Sequence, residues 1–208
     1  MSKPTINCFG CSFTAGIKGN VNSWPEELAK LVPNYNIVNY GYCGSSDLFA
    51  LHMMKQVKKN QGDIHIFQIT SPYRLTTWEK DFDWLQNLFQ HTDNYWKLRN
   101  LPNCQVKIMT RSTFHPSVKK FYKQYYSYIS EDTLWAQSEC NIELGKQYAD
   151  YSFRQQGNKN SAKFTDVFQQ EISKKTYNSY IFDKGAHLTQ EGHVFQASWV
   201  YNKIKDLL

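Results

Sequence analysis

The amino-acid sequence predicts a three-layer α/β/α domain with a short parallel β-sheet between helices. Three observations predict it. The runs TINCF (5–9), NIVNY (36–40) and IHIFQI (64–69) have strand length and strand composition, and a helix-forming segment separates each from the next. IHIFQI is rich in apolar residues with no clean alternation, as in a strand covered on both faces. The loop after it, TSPYRLTTW, carries polar groups at the carboxyl end of a strand, where open α/β sheets hold their ligands.

Each element has a local cause. TINCF stops at Gly10, the mark of a strand running into a turn. SWPEELAKLV spells a helix start: Ser23 caps, Pro25 lies in the first turn, and Glu26 follows the cap by three residues. Asp47 to Asn60 reads as a second helix, closed by Gln61-Gly62-Asp63. Residues 76–160 are less regular and read as a helical, aromatic-rich elaboration, with helices at 81–90 and 117–130, a strand at 105–110, and a helix from Ser130 to about Tyr151. GNKNSAK (157–163) is a polar loop, SYIFD (179–183) a last short strand, and Thr189 to Leu208 a closing helix with Val194, Ala197, Val200, Tyr201, Ile204 and Leu208 on one side. The whole of 1–208 reads as one domain.

Composition narrows the function. The net charge is +6, but lysines come in scattered pairs such as Lys58-Lys59 and Lys119-Lys120, a solvated surface more than a nucleic-acid footprint. The N-terminus has no signal-peptide pattern and no run reaches the ~20 apolar residues of a membrane span, so a cytoplasmic protein is expected. Five cysteines in a chain of this size do not make a disulfide framework.

The segment NCFGCSFTAG (7–16) concentrates the chemistry. Read as a CxxC site, Cys8 and Cys11 lack a second ligand pair, and Cys8 falls inside a strand. Read as a phosphate loop, it matches neither GxxxxGK[ST] nor GxGxxG. Read as a strand-to-turn elbow, Gly10-Cys11-Ser12 supplies a strand end, a small residue and a serine at the top of the sheet. Such a serine needs a base, and Asp183-Lys-Gly-Ala-His187 brings a carboxylate and an imidazole into one loop before the closing helix.

GCSFT (10–14), VNYGYCGSS (38–46) and DKGAHLTQEGH (183–193) resemble three sequence blocks of the SGNH (GDSL-like) hydrolases, in family order. The resemblance implies a flavodoxin-like fold and a serine hydrolase acting on carboxylic esters of a lipid or carbohydrate, with Ser12 as nucleophile, His187 as base and Asp183 as the acid that orients it. It further implies an oxyanion hole from the amides of Ser12 and Gly44. The family's Gly-x-Asn-Asp block is missing: the chain reads Gln68-Ile69-Thr70-Ser71, with Thr70 where the asparagine would stand, which leaves the third oxyanion donor to Thr70, Ser71 or Arg74. The acid and histidine are separated by three residues where the family has two. Ser71 and Arg74 are candidate substrate contacts, and neither metal nor organic cofactor is implied.

A rival class keeps the fold as a binding or structural module, such as a phage or virion accessory protein, because a family fold does not by itself carry the activity. Outside the elbow, His65 reads as a hydrogen-bonded core residue, His193 as a helix-surface residue, and His52, His91 and His115 show no metal-ligand spacing.

Overall fold

The structure is a computed structural model; it describes residues 3–16, 21–43, 45–70, 74–78, 97–101, 104–110, 131–154 and 187–208, the backbone alone at 74–78, 97–101, 104–110 and 131–135. Strand β1 (Thr5–Gly10) lies at the centre of a four-stranded parallel sheet. On one side it pairs with β2 (Asn36–Gly41), from Thr5 opposite Asn36 to Gly10 opposite Gly41. On the other side it pairs with β3 (Ile64–Ile69), from Ile6 opposite Ile64 to Phe9 opposite Phe67. Because the strands are parallel and in register, their carboxyl ends form one edge, and the turn after β1 emerges between the ends of β2 and β3.

Helices cover both faces. The alternation of β1 sends Ile6 and Cys8 to one face, where Trp24 and Leu28 of α2 (Trp24–Leu31) meet Ala197, Val200 and Ile204 of α5 (Gln190–Ile204). Phe9 points to the other face, with Phe67 and Ile69 of β3, against Phe49, Met53 and Met54 of α3 (Asp47–Gln56) and Ile142 of α4 (Glu131–Tyr148). Each such side chain, once fully buried, contributes about 1.5–3 kcal/mol. These are the three layers the sequence predicts.

The helix starts follow the cap chemistry. Glu26 Oε2 accepts from Ser23 N at 2.5 Å and from Ser23 Oγ at 2.8 Å, tying the start of α2. Ser46 Oγ accepts from Phe49 N at 3.3 Å at the start of α3, and Thr189 Oγ1 from Gly192 N at 3.2 Å at the start of α5.

Several expectations differ from the structure. A fourth parallel strand, β7 (Tyr151–Arg154), follows α4 and pairs with β3 from Ile66 opposite Tyr151 to Ile69 opposite Arg154. The helix expected to reach Tyr151 therefore ends at Tyr148, and the one expected to reach Asn60 ends at Gln56. The 76–160 elaboration contains, besides α4, a three-stranded antiparallel sheet in the order β4 (Arg74–Trp78), β6 (Cys104–Thr110), β5 (Lys97–Leu101). The helices expected at 81–90 and 117–130, the loop at 157–163 and the strand at 179–183 lie outside the described residues.

Two histidines also depart from expectation. His193 is buried rather than on the surface, because the buried side of α5 runs through His193, Gln196, Ala197, Val200 and Ile204, while Val194 and Leu208 are exposed. His65 is buried against the Phe9 ring, yet neither ring nitrogen completes a hydrogen bond among the described residues. Burial lowers its pKa, and the nearby Lys59 charge adds to that effect.

Among the described residues no helix is long and apolar enough to cross a membrane, and no three His, Cys, Asp or Glu side chains are grouped to hold a metal. Cys8 and Cys11 are free and buried, and burial pushes the Cys8 thiol pKa up.

Candidate active site

Ser12 begins a single helical turn, α1 (Ser12–Ala15), immediately beyond β1. Cys11, in extended conformation, precedes it, and its carbonyl accepts from Thr14 N at 3.0 Å and Ala15 N at 2.9 Å. The chain turns this tightly because Gly10 has no side chain: a Cβ there would collide with Thr14 Oγ1 and stand 3.0 Å from the Gln68 carbonyl oxygen.

His187 reaches the same turn from the far end of the chain. Its Nε2 lies 3.2 Å from Ser12 Oγ, a contact spanning 175 residues of sequence. The imidazole also packs against the Phe13 ring, centroids 5.3 Å apart and planes tilted by 45°. Three features hold its segment in place. Leu188 is buried in the core beside Trp24 and Leu28, Thr189 caps α5, and Gln190 docks on the start of α2. Gln190 Oε1 accepts from Asn22 N at 2.8 Å and its Nε2 donates to Glu27 Oε1 at 3.0 Å.

Glu27 anchors that docking. Burial would raise its pKa, but hydrogen bonds from Lys30, Asn22 and Gln190 and the Lys30 charge outweigh burial and lower it, so the carboxylate stays charged. His193, one turn into α5, has its pKa lowered to about 4, chiefly by burial; the Glu26 and Glu27 charges oppose the shift and His187 adds to it.

The neighbouring strand ends are tied to the turn. From β2, Asn39 Nδ2 donates to the Thr14 carbonyl at 2.8 Å and Asn39 Oδ1 accepts from Gly41 N at 2.9 Å. In the loop that follows, Tyr42 N at 3.2 Å and Ser45 Oγ at 2.8 Å both donate to the Gly10 carbonyl. From β3, the buried Gln68 side-chain carbonyl accepts from Thr14 Oγ1 and, at 2.9 Å, from Trp24 Nε1. Beyond β3, Thr70 N donates to Asp47 Oδ1 at 2.7 Å, and Ser138 Oγ of α4 to Asp47 Oδ2 at 3.3 Å. The Thr70 hydroxyl is buried with no hydrogen-bond partner among the described residues.

Of the residues the sequence singles out, Ser12 and His187 therefore meet, and Thr70 lies at the carboxyl end of β3, next but one to β2 across β1. Asp183, Gly44 and Ser71 lie outside the described residues, and for Arg74 the structure describes only the backbone, paired with Thr110. Sequence reasoning passed over Thr14, Asn39, Asp47 and Gln68. The available signal was Gln68, an amide inside an otherwise apolar strand that must find partners when buried.

Chemically, an alcohol hydrogen-bonded to an imidazole nitrogen can give up its proton as it attacks an electrophile. No protein-family model and no curated protein sequence matches the chain. Three similar solved structures carry lipolytic or SGNH names. A member of the lipolytic protein G-D-S-L family from Veillonella parvula is 12% identical with a TM-score of 0.47, covering 98% of this chain and 99% of that one. A "possible lipase" from Chitinophaga pinensis is 13% identical with a TM-score of 0.41, covering 98% of each chain. AlinE4, an SGNH-hydrolase family esterase, is 23% identical with a TM-score of 0.29, over 35% of this chain and 47% of its own.

Proposed function

We propose that the protein is a serine hydrolase acting on carboxylic esters, with Ser12 as nucleophile and His187 as general base. The observation that carries this reading is the 3.2 Å contact between Ser12 Oγ and His187 Nε2 at the carboxyl edge of a parallel sheet. A serine hydroxyl alone is a weak nucleophile, and an imidazole at hydrogen-bond distance is the group that activates it at neutral pH.

On this reading His187 Nε2 takes the hydroxyl proton as Ser12 Oγ attacks the ester carbonyl carbon. The same nitrogen returns the proton to the departing alcohol, and water, deprotonated in turn by His187, releases the acid and restores Ser12. Ser12 is the first residue of its turn, so its amide has no acceptor within the turn and can face the developing oxyanion. Gly44 and Thr70 complete that hole, Asp183 orients the imidazole, and Ser71 and Arg74 contact the substrate. The substrate is a small ester of a lipid or carbohydrate.

Hydrolysis of p-nitrophenyl acetate tests the reading. The wild type is expected to turn it over, and Ser12→Ala and His187→Ala to lose at least about 10³-fold in kcat/KM. A wild type no faster than Ser12→Ala would mean that the fold serves as a binding or structural module instead.

A further inference from the structure

The turn that carries Ser12 cannot hold itself. It is four residues long, with two main-chain hydrogen bonds to the Cys11 carbonyl, and so short a helix has no stability of its own in water. Its position is set by what it is tied to, and two ties converge on Thr14, two residues after the nucleophile. The Thr14 main-chain carbonyl faces β2 and accepts from Asn39 Nδ2 at 2.8 Å. The Thr14 hydroxyl faces β3 and donates to the side-chain carbonyl of Gln68.

Gln68 suits that task. Its side chain is fully buried, so water does not compete for its carbonyl. A second donor, Trp24 Nε1 of α2, reaches the same oxygen at 2.9 Å and fixes which end of the amide faces the turn. Gly10 leaves the space that lets Thr14 approach β3, and Gly41 does the same beside β2, where a Cβ would stand 2.8 Å from the Thr14 carbonyl carbon. Three strands, one helix and two side-chain-free positions thus converge on one residue, Thr14.

We propose that Thr14 and Gln68 are positioning residues for the nucleophile: their hydrogen bond fixes the α1 turn on the sheet so that Ser12 Oγ stands against His187, an inference that rests on the hydrolase reading above. Neither residue touches substrate. They act on rate through geometry, where a displacement of about 1 Å can cost on the order of 10²-fold.

The test is labelling of Ser12 by a fluorophosphonate, with kinact and KI measured separately, well below each variant's Tm, for the wild type, Thr14→Val, Thr14→Ser and Gln68→Met. Thr14→Val keeps the shape and removes the donor; Thr14→Ala, which leaves a gap instead of a clash, replaces it if Thr14→Val does not fold. The expected result is a kinact about 10- to 100-fold lower in Thr14→Val and Gln68→Met, with KI within about threefold of wild type. Thr14→Ser keeps the hydroxyl and is expected to stay within about threefold on both. The pH midpoint of labelling is expected not to move, because the base is untouched. Thr14→Val labelled at the wild-type rate, or Thr14→Ser as slow as Thr14→Val, overturns the positioning role while leaving the hydrolase reading intact. A wild type that is not labelled at Ser12 overturns that reading and the positioning role with it.

Discussion

The two edges of the parallel sheet carry similar polar groups and use them differently. At the amino edge, carboxylates close the starts of strands. Asp63 Oδ1 accepts from Thr5 N at 2.7 Å and its Oδ2 from Asn60 N at 2.8 Å, while Asp150 Oδ2 accepts from His65 N at 2.7 Å. Lys59 Nζ lies 2.5 Å from the second Asp150 oxygen, and each bond donated by a main-chain amide secures one piece of backbone. At the carboxyl edge, Asn39, Gly41, Ser45 and Gln68 make contacts that converge on a single turn, and the side chain that turn presents is Ser12. The difference teaches that a polar network has to be judged by what it holds: one edge holds the starts of strands, the other holds the turn that sets Ser12 against His187.

The comparison breaks first at Ser12 and His187. Loss of at least about 10³-fold in ester turnover is expected for Ser12→Ala and His187→Ala, with circular dichroism and Tm close to wild type. Thr14→Val follows, with a loss confined to kinact.

A third test concerns stability between the edges. His193 has its pKa lowered to about 4 in the fold, against about 6.5 in an unfolded chain. Between those values the unfolded chain binds a proton that the folded protein refuses. Stability is therefore complete above about pH 6.5 and lost as pH falls toward 4, by roughly 3 kcal/mol. Urea unfolding from pH 7 to 4 is expected to show that decline, and His193→Asn to flatten it.

The smallest effect belongs to the amino edge. Asp63→Ala is expected to cost about 2 kcal/mol by stranding the Thr5 and Asn60 amides, with ester turnover per folded molecule within about twofold of wild type. Burial raises the Asp63 pKa, but the bonds from Asn60 and Thr5 outweigh burial and lower it, so this contribution holds above the ordinary carboxylate range and fades as pH drops below about 4. Turnover falling in step with stability would erase the distinction between the edges.

Much of this was legible in the sequence, for local reasons. The strands at 5–10, 36–41 and 64–69 announce themselves by apolar runs ending in Gly or hydroxyl residues, and α2 and α5 by Ser23, Glu26 and Thr189, whose capping acts over three residues of chain. The Ser12–His187 encounter matches the pairing of residues that the sequence singled out, although the strand expected before His187, at 179–183, lies outside the described residues. What was not legible depends on distant partners. Strand β7 is four residues with only Phe153 fully buried, too short to show a period, and it exists because β3 offers it an edge. The buried side of α5 carries His193 and Gln196, so apolar spacing pointed to Val194 instead. Gln68 and Asp47 matter through residues that lie 23 to 91 positions away, which no local pattern records.

The most direct measurement of the central claim is peptide mapping by mass spectrometry after fluorophosphonate treatment, with the rate of adduct formation followed in the wild type and in His187→Ala. The account predicts one adduct, on Ser12, forming at least about 10²-fold more slowly when His187 is removed. An adduct on a different serine, or a Ser12 labelled equally fast without His187, would contradict it.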